Sequence, residues 1–263
     1  MWHETERGDL YVRDNKGFGV PVVFFHAFPF DGRMWEPVSE LLQDKARILI
    51  PDLPGFGASN DMNLADMSVD LYASTVLGVL NTLGVESFIP VGCSLGSYVV
   101  MSLMAHTPER LLGAGICNGR CRADTEEEKA KRKVLAEKVL TSGVEYLFDK
   151  VIPRTISAAT AADKEKLFQY VQEQFSDGVE AGLFALAARP DRGTVISKFE
   201  KPIFSLIGEL DQVLNREEQE EMRALMKRPT LCTLKDAGHL APFEKPIDVA
   251  KALFDWIIKE ISA

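Results

Sequence analysis

Phe88-Ile89-Pro90-Val91-Gly92-Cys93-Ser94-Leu95-Gly96 is the stretch on which the fold turns. Phe88–Val91 is an apolar run suited to a buried strand, and Leu95–His106, apolar through Tyr98-Val99-Val100-Met101, continues as a buried helix. A serine at so tight a strand-to-helix turn is forced into a strained, exposed position. Glycines on both sides, Gly92 and Gly96, let neighbouring backbone pass close enough to permit it. The helix that follows aims its first N–H groups, and the positive end of its dipole, at charge developing near the hydroxyl. A Gly-x-Ser-x-Gly alone arises by chance in about one chain in ten of this length. The weight therefore falls on what surrounds it.

Moving outward, apolar runs alternate with helical patterns. Trp2 to Arg13 reads as a hairpin about a Gly8-Asp9 turn. Further strands are expected at Val20–Phe25, Ala46–Ile50, Leu111–Cys117, Ile203–Ile207 and Thr230–Leu234, apolar at most positions as in a parallel sheet covered on both faces. Helices are expected at Glu36–Leu42, Val69–Leu83, Arg216–Met226 and Ile247–Ile261, with a variant capping box in Asn215 and Glu218. This alternation predicts an α/β fold with a doubly wound, mostly parallel sheet.

From Arg122 to Arg192 the strand signal lapses and only helical patterns remain. Thr125 opens a charged helix ending near Gly143, Val144–Asp149 follows, and another helix carries Leu167, Val171 and Phe175. Val179–Ala188 completes the block before Arg189-Pro190. Residues 1–121 and 193–263 are read as the core and 122–192 as an inserted helical cap, lying over the carboxyl edge of the sheet where open α/β folds place their ligand crevice.

Composition narrows the function classes. A chain of 263 residues, 46% apolar and 26% charged, is long enough for one domain with a substantial core. A net charge of −9 argues against nucleic acid and against anionic membranes as partners. The four cysteines lack a C-x-x-C pairing, which suits reduced thiols and a cytoplasmic setting. The first residues have no apolar signal-peptide core, and no apolar run approaches the ~20 residues needed to span a bilayer.

A serine hydroxyl needs an adjacent base, itself oriented by a third group. Of four histidines, His3 sits in the terminal hairpin, His106 closes the helix after the elbow, and His26 ends the first central strand and is suited to bracing its loop. His239, after the last strand in Lys235-Asp236-Ala237-Gly238-His239, is left as the base. The orienting acid is expected at a strand end between serine and histidine, and Asp211 in Gly208-Glu209-Leu210-Asp211 fits, with Glu209, Asp236 and the more distant Asp124 as rivals. The oxyanion donors expected are the backbone N–H groups of Leu95 and of Phe28 in His26-Ala27-Phe28-Pro29, with Ala27 second to Phe28.

With these pieces assembled, the chain resembles the α/β-hydrolase superfamily. The resemblance rests on His26-Ala27-Phe28-Pro29 with Met34-Trp35, Asp52-Leu53-Pro54-Gly55-Phe56-Gly57-Ala58-Ser59, the elbow, Gly208-Glu209-Leu210-Asp211 and Gly238-His239, in the family's order and nearly end to end. It implies a hydrolase without cofactor or metal, carrying a helical cap. Relatives that open epoxides or displace halide use aspartate at the elbow, so Ser94 points instead to a small-to-medium carboxylic ester cleaved through an acyl-enzyme. Enol-lactone hydrolysis is an alternative, as are perhydrolase and carbon–carbon bond hydrolase activities; a catalytically silent binder of hydrophobic ligands is the reading outside enzymes. Phe148, Phe168, Phe184 and Leu186 are expected as apolar walls in the cap. A basic residue facing Ser94 would favour a carboxylate-bearing lactone; Arg122, Arg154 and Arg189 are candidates, each read as a solvated surface charge.

Overall fold

The strands are β1 (Trp2–Thr5), β2 (Gly8–Asp14), β3 (Pro21–Phe25), β4 (Arg47–Pro51), β5 (Ile89–Cys93), β6 (Ala114–Cys117), β7 (Ile203–Gly208) and β8 (Pro229–Leu234). Seen in a computed structural model that describes residues 1–157 and 161–261, they form one sheet in the order β1-β2-β4-β3-β5-β6-β7-β8. The β1–β2 and β2–β4 pairs are antiparallel and the rest parallel. The mostly parallel α/β sheet expected from the alternation is thus present.

The β5, β6 and β7 residues are buried throughout, because helices cover both faces of the sheet centre. β8 alternates between exposed and half-buried positions, since it is the edge strand. The helices before the lapse in strand signal are α1 (Glu36–Leu42), α2 (Val69–Thr82) and α3 (Leu95–His106). Between β6 and β7 run α4 (Glu126–Ser142), α5 (Tyr146–Lys150), α6 (Ile152–Thr155), α7 (Ala161–Gln172), α8 (Ser176–Ala188) and α9 (Gly193–Lys198). After β7 come α10 (Arg216–Ala224), α11 (Ala241–Glu244) and α12 (Pro246–Glu260). None of the described helices is long and apolar enough to cross a membrane.

Local chemistry accounts for several boundaries. Thr125 accepts from Glu128 N–H while the Glu128 side chain accepts from Thr125 N–H, a complete capping box that opens α4. Four local expectations are corrected. The hairpin turns on Glu6-Arg7, since Thr5 pairs with Gly8 and the Arg7 guanidinium ties the turn to the carbonyls of Asn63 and Ala65. β6 begins at Ala114; Leu111 makes only an isolated bridge to Phe88. Phe175 does not continue the helix of Leu167 and Val171 but stands at the N-cap of α8, with extended backbone. At α10, Asn215 accepts from Glu217 N–H, but Glu218 does not close a capping box because its carboxylate is taken by Arg120 and Arg122.

Candidate active site

The parallel strands β3, β5, β6, β7 and β8 all end on one edge, and each is followed there by a residue of chemical interest. These are His26, Ser94, Asn118, Asp211 and His239. β3 and β5 are neighbours, with Phe25 opposite Gly92, so the His26 loop and the serine turn lie side by side. This is also where the sheet order reverses, the place where α/β sheets open a crevice.

Ser94 has φ 52° and ψ −112°, the left-handed backbone that a side chain ordinarily avoids. Its neighbours make that turn possible. A Cβ on Gly92 would lie 2.1 Å from Gly96 O, and one on Gly96 would lie 2.1 Å from Phe25 O. Ser94 N–H donates to Cys117 O at 3.1 Å and the Ser97 hydroxyl donates to Ser94 O at 2.5 Å, fixing the turn from both sides. The adjoining Cys93 thiol is buried, which pushes its pKa up and keeps it protonated.

His239 Nδ1 lies 2.9 Å from Asp211 Oδ2, with both side chains almost wholly buried. The other imidazole nitrogen, Nε2, is buried and has no hydrogen-bond partner among the described residues. Asp211 is firmly held. Its Oδ1 accepts from the N–H groups of Val213 and Leu214 at 2.8 and 3.0 Å, and its Oδ2 also accepts from Asn118 Nδ2 at 3.0 Å. Burial alone would raise the Asp211 pKa, but the interaction with His239, its N–H and the other donors outweigh that and hold it below the usual carboxylate range. Of the rival acids, Glu209 and Asp236 are exposed and neither reaches His239, while Asp124 is taken by arginines. The His239 loop is braced by the segment around α6: Leu240 N–H donates to Thr155 O, and Glu244 accepts from Ser157 N–H and Gly238 N–H.

In the loop after β3, burial drives the His26 pKa down, so the ring is neutral. Its Nε2 accepts from Leu53 N–H at 2.9 Å, which leaves the proton on Nδ1, beside Ala27 O at 3.1 Å. His26 is therefore a brace between two loops. Ala27 N–H is spent on the Met34 sulfur, whereas Phe28 N–H makes no hydrogen bond among the described residues. Leu95, the first residue of α3, has an N–H that no intrahelical carbonyl can reach.

Ser94, His239, Phe28 and Tyr98 open onto one cavity of about 180 Å³. Helices from the 126–188 stretch wall it with the apolar Leu135, Leu183 and Leu186 and the cationic Arg132, Lys150 and Arg154. Of the four expected cap walls only Leu186 lines it. Phe148 and Phe168 pack on each other with centroids 5.2 Å apart, and Phe184 is 42% exposed. Arg189 is no surface charge: it is buried, pairs with Asp124 at 2.6 Å and stands 4.2 Å over the Tyr98 ring. Asp124 also takes Arg120 and Arg132, at 2.7 and 2.5 Å, and Arg122 belongs to the same cluster through Glu128 and Glu218. No group of three or more described His, Cys, Asp or Glu residues is arranged to hold a metal ion.

Sequence reasoning missed Asn118. The signal was available in its place directly after β6 and in the tolerance of Asn for left-handed backbone, here φ 48°. Arg120, Arg122, Glu128 and Arg132 stand near Asp124 in the sequence, but Arg189 and Glu218 join the cluster only by tertiary contact.

A strained serine on a strand-to-helix turn, set at the carboxyl edge of a mostly parallel sheet beside a buried His–Asp pair, defines the class of an α/β hydrolase. The comparisons agree. Residues 22–252 match the profile of the alpha/beta hydrolase family, and the chain belongs to that family. It is 31% identical to a thermophilic esterase from Thermogutta terrifontis, solved with malate bound, with a TM-score of 0.92 over 96% of this chain and 94% of that one. The enol-lactonase from Burkholderia xenovorans shares the fold at 21% identity and a TM-score of 0.85, covering 95% of this chain and 97% of that one. Among curated proteins, the 2-succinyl-6-hydroxy-2,4-cyclohexadiene-1-carboxylate synthase of Salmonella paratyphi C is 27% identical over 248 residues, 89% of this chain and 93% of that protein.

Proposed function

We propose that the chain is a serine hydrolase that cleaves a small-to-medium carboxylic ester through an acyl-enzyme on Ser94. The observation that carries this reading is the His239 imidazole, bound to Asp211 through Nδ1 and bare at a buried Nε2, lining the same cavity as Ser94. On this reading Ser94 Oγ attacks the ester carbonyl as His239 Nε2 takes its proton, and the imidazolium is stabilised by Asp211, which stays ionised. The tetrahedral oxyanion is met by the N–H groups of Phe28 and Leu95. Collapse expels the alkoxide, which takes the proton from His239. Water then attacks the acyl-enzyme by the same route, releasing the acid and restoring Ser94. The small cavity supports a short acyl group, since pockets for drug-sized ligands are typically about 300–1,000 Å³.

The test is turnover of p-nitrophenyl acetate and butyrate against Ser94→Ala as the blank, with fluorophosphonate labelling alongside. Turnover above the blank and labelling only of the wild type support the reading. Neither would leave a ligand-binding protein. A second reading, lactone hydrolysis or a synthase reaction run by the same pair, draws support from the Salmonella synthase, a relative over most of the chain. Labelling of Ser94 without turnover of either ester would favour it.

A further inference from the structure

The cavity onto which Ser94 opens has a lining charged with one sign only. Arg132, Lys150 and Arg154 line it, and no Asp or Glu among the described residues does. In a chain with nine more acidic than basic residues, such a one-sided wall is not what random surface composition supplies. The three cations also differ. Arg132 is neutralised through Asp124, against which its Nε lies at 2.5 Å. Lys150 and Arg154 have no ion pair among the described residues; Arg154 Nη2 donates only to Gln212 O, at 2.7 Å. Behind Arg132, the cluster of Arg120, Arg122, Arg132 and Arg189 faces Asp124, Glu128 and Glu218, four guanidiniums against three carboxylates. Positive potential is therefore left over at the cavity, and clefts lined by one sign of charge concentrate ligands of the other.

We propose that the substrate carries a carboxylate besides the bond that is cleaved, and that Lys150 and Arg154 receive it at the mouth of the cavity while the reacting carbonyl lies at Ser94. The proposal rests on the reading of Ser94 as nucleophile for its polarity, with the acyl chain running from Ser94 toward α5 and α6. A short acyl group ending in a carboxylate, as in a half-ester or a lactone acid, meets both the volume and the charge. Arg132 is not part of this receptor, because its guanidinium is already spent on Asp124.

The experiment compares p-nitrophenyl butyrate with p-nitrophenyl hemisuccinate, which share a leaving group and an acyl length and differ in one terminal charge. Wild type is expected to favour hemisuccinate in kcat/KM, and the preference should shrink as salt rises. In the double variant Lys150→Ala/Arg154→Ala the hemisuccinate-to-butyrate ratio should fall about tenfold, the order of two partly exposed charge contacts. Lys150→Arg/Arg154→Lys, which keeps both charges, should restore most of it. A wild-type ratio at or below one, or a ratio unchanged in the alanine variant, overturns the proposal. If neither ester is turned over, the hydrolase reading has failed, and binding decides the anion site by itself. Succinamate should then bind more tightly than butyramide in ligand-observed NMR, and lose that advantage in the alanine variant; equal binding overturns the site.

Discussion

Asp211 and His239 form a buried carboxylate–imidazole pair, 2.9 Å from Oδ2 to Nδ1, that joins the ends of β7 and β8. The bond fixes the ring's orientation and directs Nε2 away from the carboxylate. On the proposed mechanism, Asp211→Asn presents an amide that no longer selects the reactive tautomer. Its kcat is expected to fall by roughly 10³–10⁴, with the protein still folded. His239→Ala should fall to the level of the Ser94→Ala blank. Steady-state kinetics with p-nitrophenyl butyrate measures the order. A near wild-type kcat for Asp211→Asn would remove Asp211 from the mechanism.

Asn118 supports that pair from the neighbouring strand. Its amide donates to Asp211 Oδ2 at 3.0 Å and to Gly238 O at 3.3 Å, so it touches both the acid and the loop of the base. On the proposed mechanism it is a positioning residue. Asn118→Ala removes a hydrogen bond to a charged group, worth ~1.5–3 kcal/mol, and should lower kcat about tenfold or more with KM little changed. Asn118→Asp should do worse, since a like charge beside Asp211 makes one of the two take up a proton. Comparing kcat and KM separately for the two variants checks this. A loss confined to KM would contradict a positioning role.

The alternation of buried strands and helices was readable because its cause is local: covered strands must be apolar on both faces, and helices repeat their apolar positions. The Ser94 turn was readable for the same reason, its two glycines standing within three residues of the serine. Phe184 was misread because an aromatic on an apolar helix looks the same from either side, and only packing decides which face meets the site. The Arg120–Asp124–Arg189 cluster is assembled by tertiary contact from separate elements, so no window of sequence contains it. Arg154 stood out in the sequence as a candidate cation, but nothing there marked Lys150; they come from two successive short helices, and only tertiary placement brings both to the cavity of Ser94.

Gly92 and Gly96 allow a test of how tightly the turn is packed. Gly96→Ala would drive a Cβ into Phe25 O and Gly92→Ala into Gly96 O, both backbone atoms of the central strands and the turn itself. Neither can yield as a flexible side chain would. Each substitution is expected to cost more than about 3 kcal/mol, at the upper end of overpacking effects. Gly78→Ala in α2 is the contrast, since a Cβ there meets nothing within 4 Å. It should stabilise by ~0.5–1 kcal/mol through helix propensity. Urea midpoints of the three variants separate these outcomes.

Asp124 ties stability to pH. Burial by itself would raise its pKa, but Arg132 and Arg189 outweigh burial and hold the carboxyl below its usual range. A carboxylate with a depressed folded-state pKa adds stability that is fully present above its unfolded value, about 3.9. That contribution is lost as pH falls through the lower, folded value. Wild-type stability should therefore hold steady down to about pH 5 and decline steeply below about pH 4. Asp124→Asn leaves three guanidiniums without their shared carboxylate and should cost ~3–5 kcal/mol at pH 7. Because the variant has no such proton to take up, its decline below about pH 4 should be shallower, and the two curves should converge in acid. Urea unfolding at a series of pH values from 7 to about 3 measures both slopes, which follow the difference in bound protons between unfolded and folded chains. Parallel curves would mean that the Asp124 carboxyl titrates alike in the two states, and that its three arginines hold structure without holding its charge.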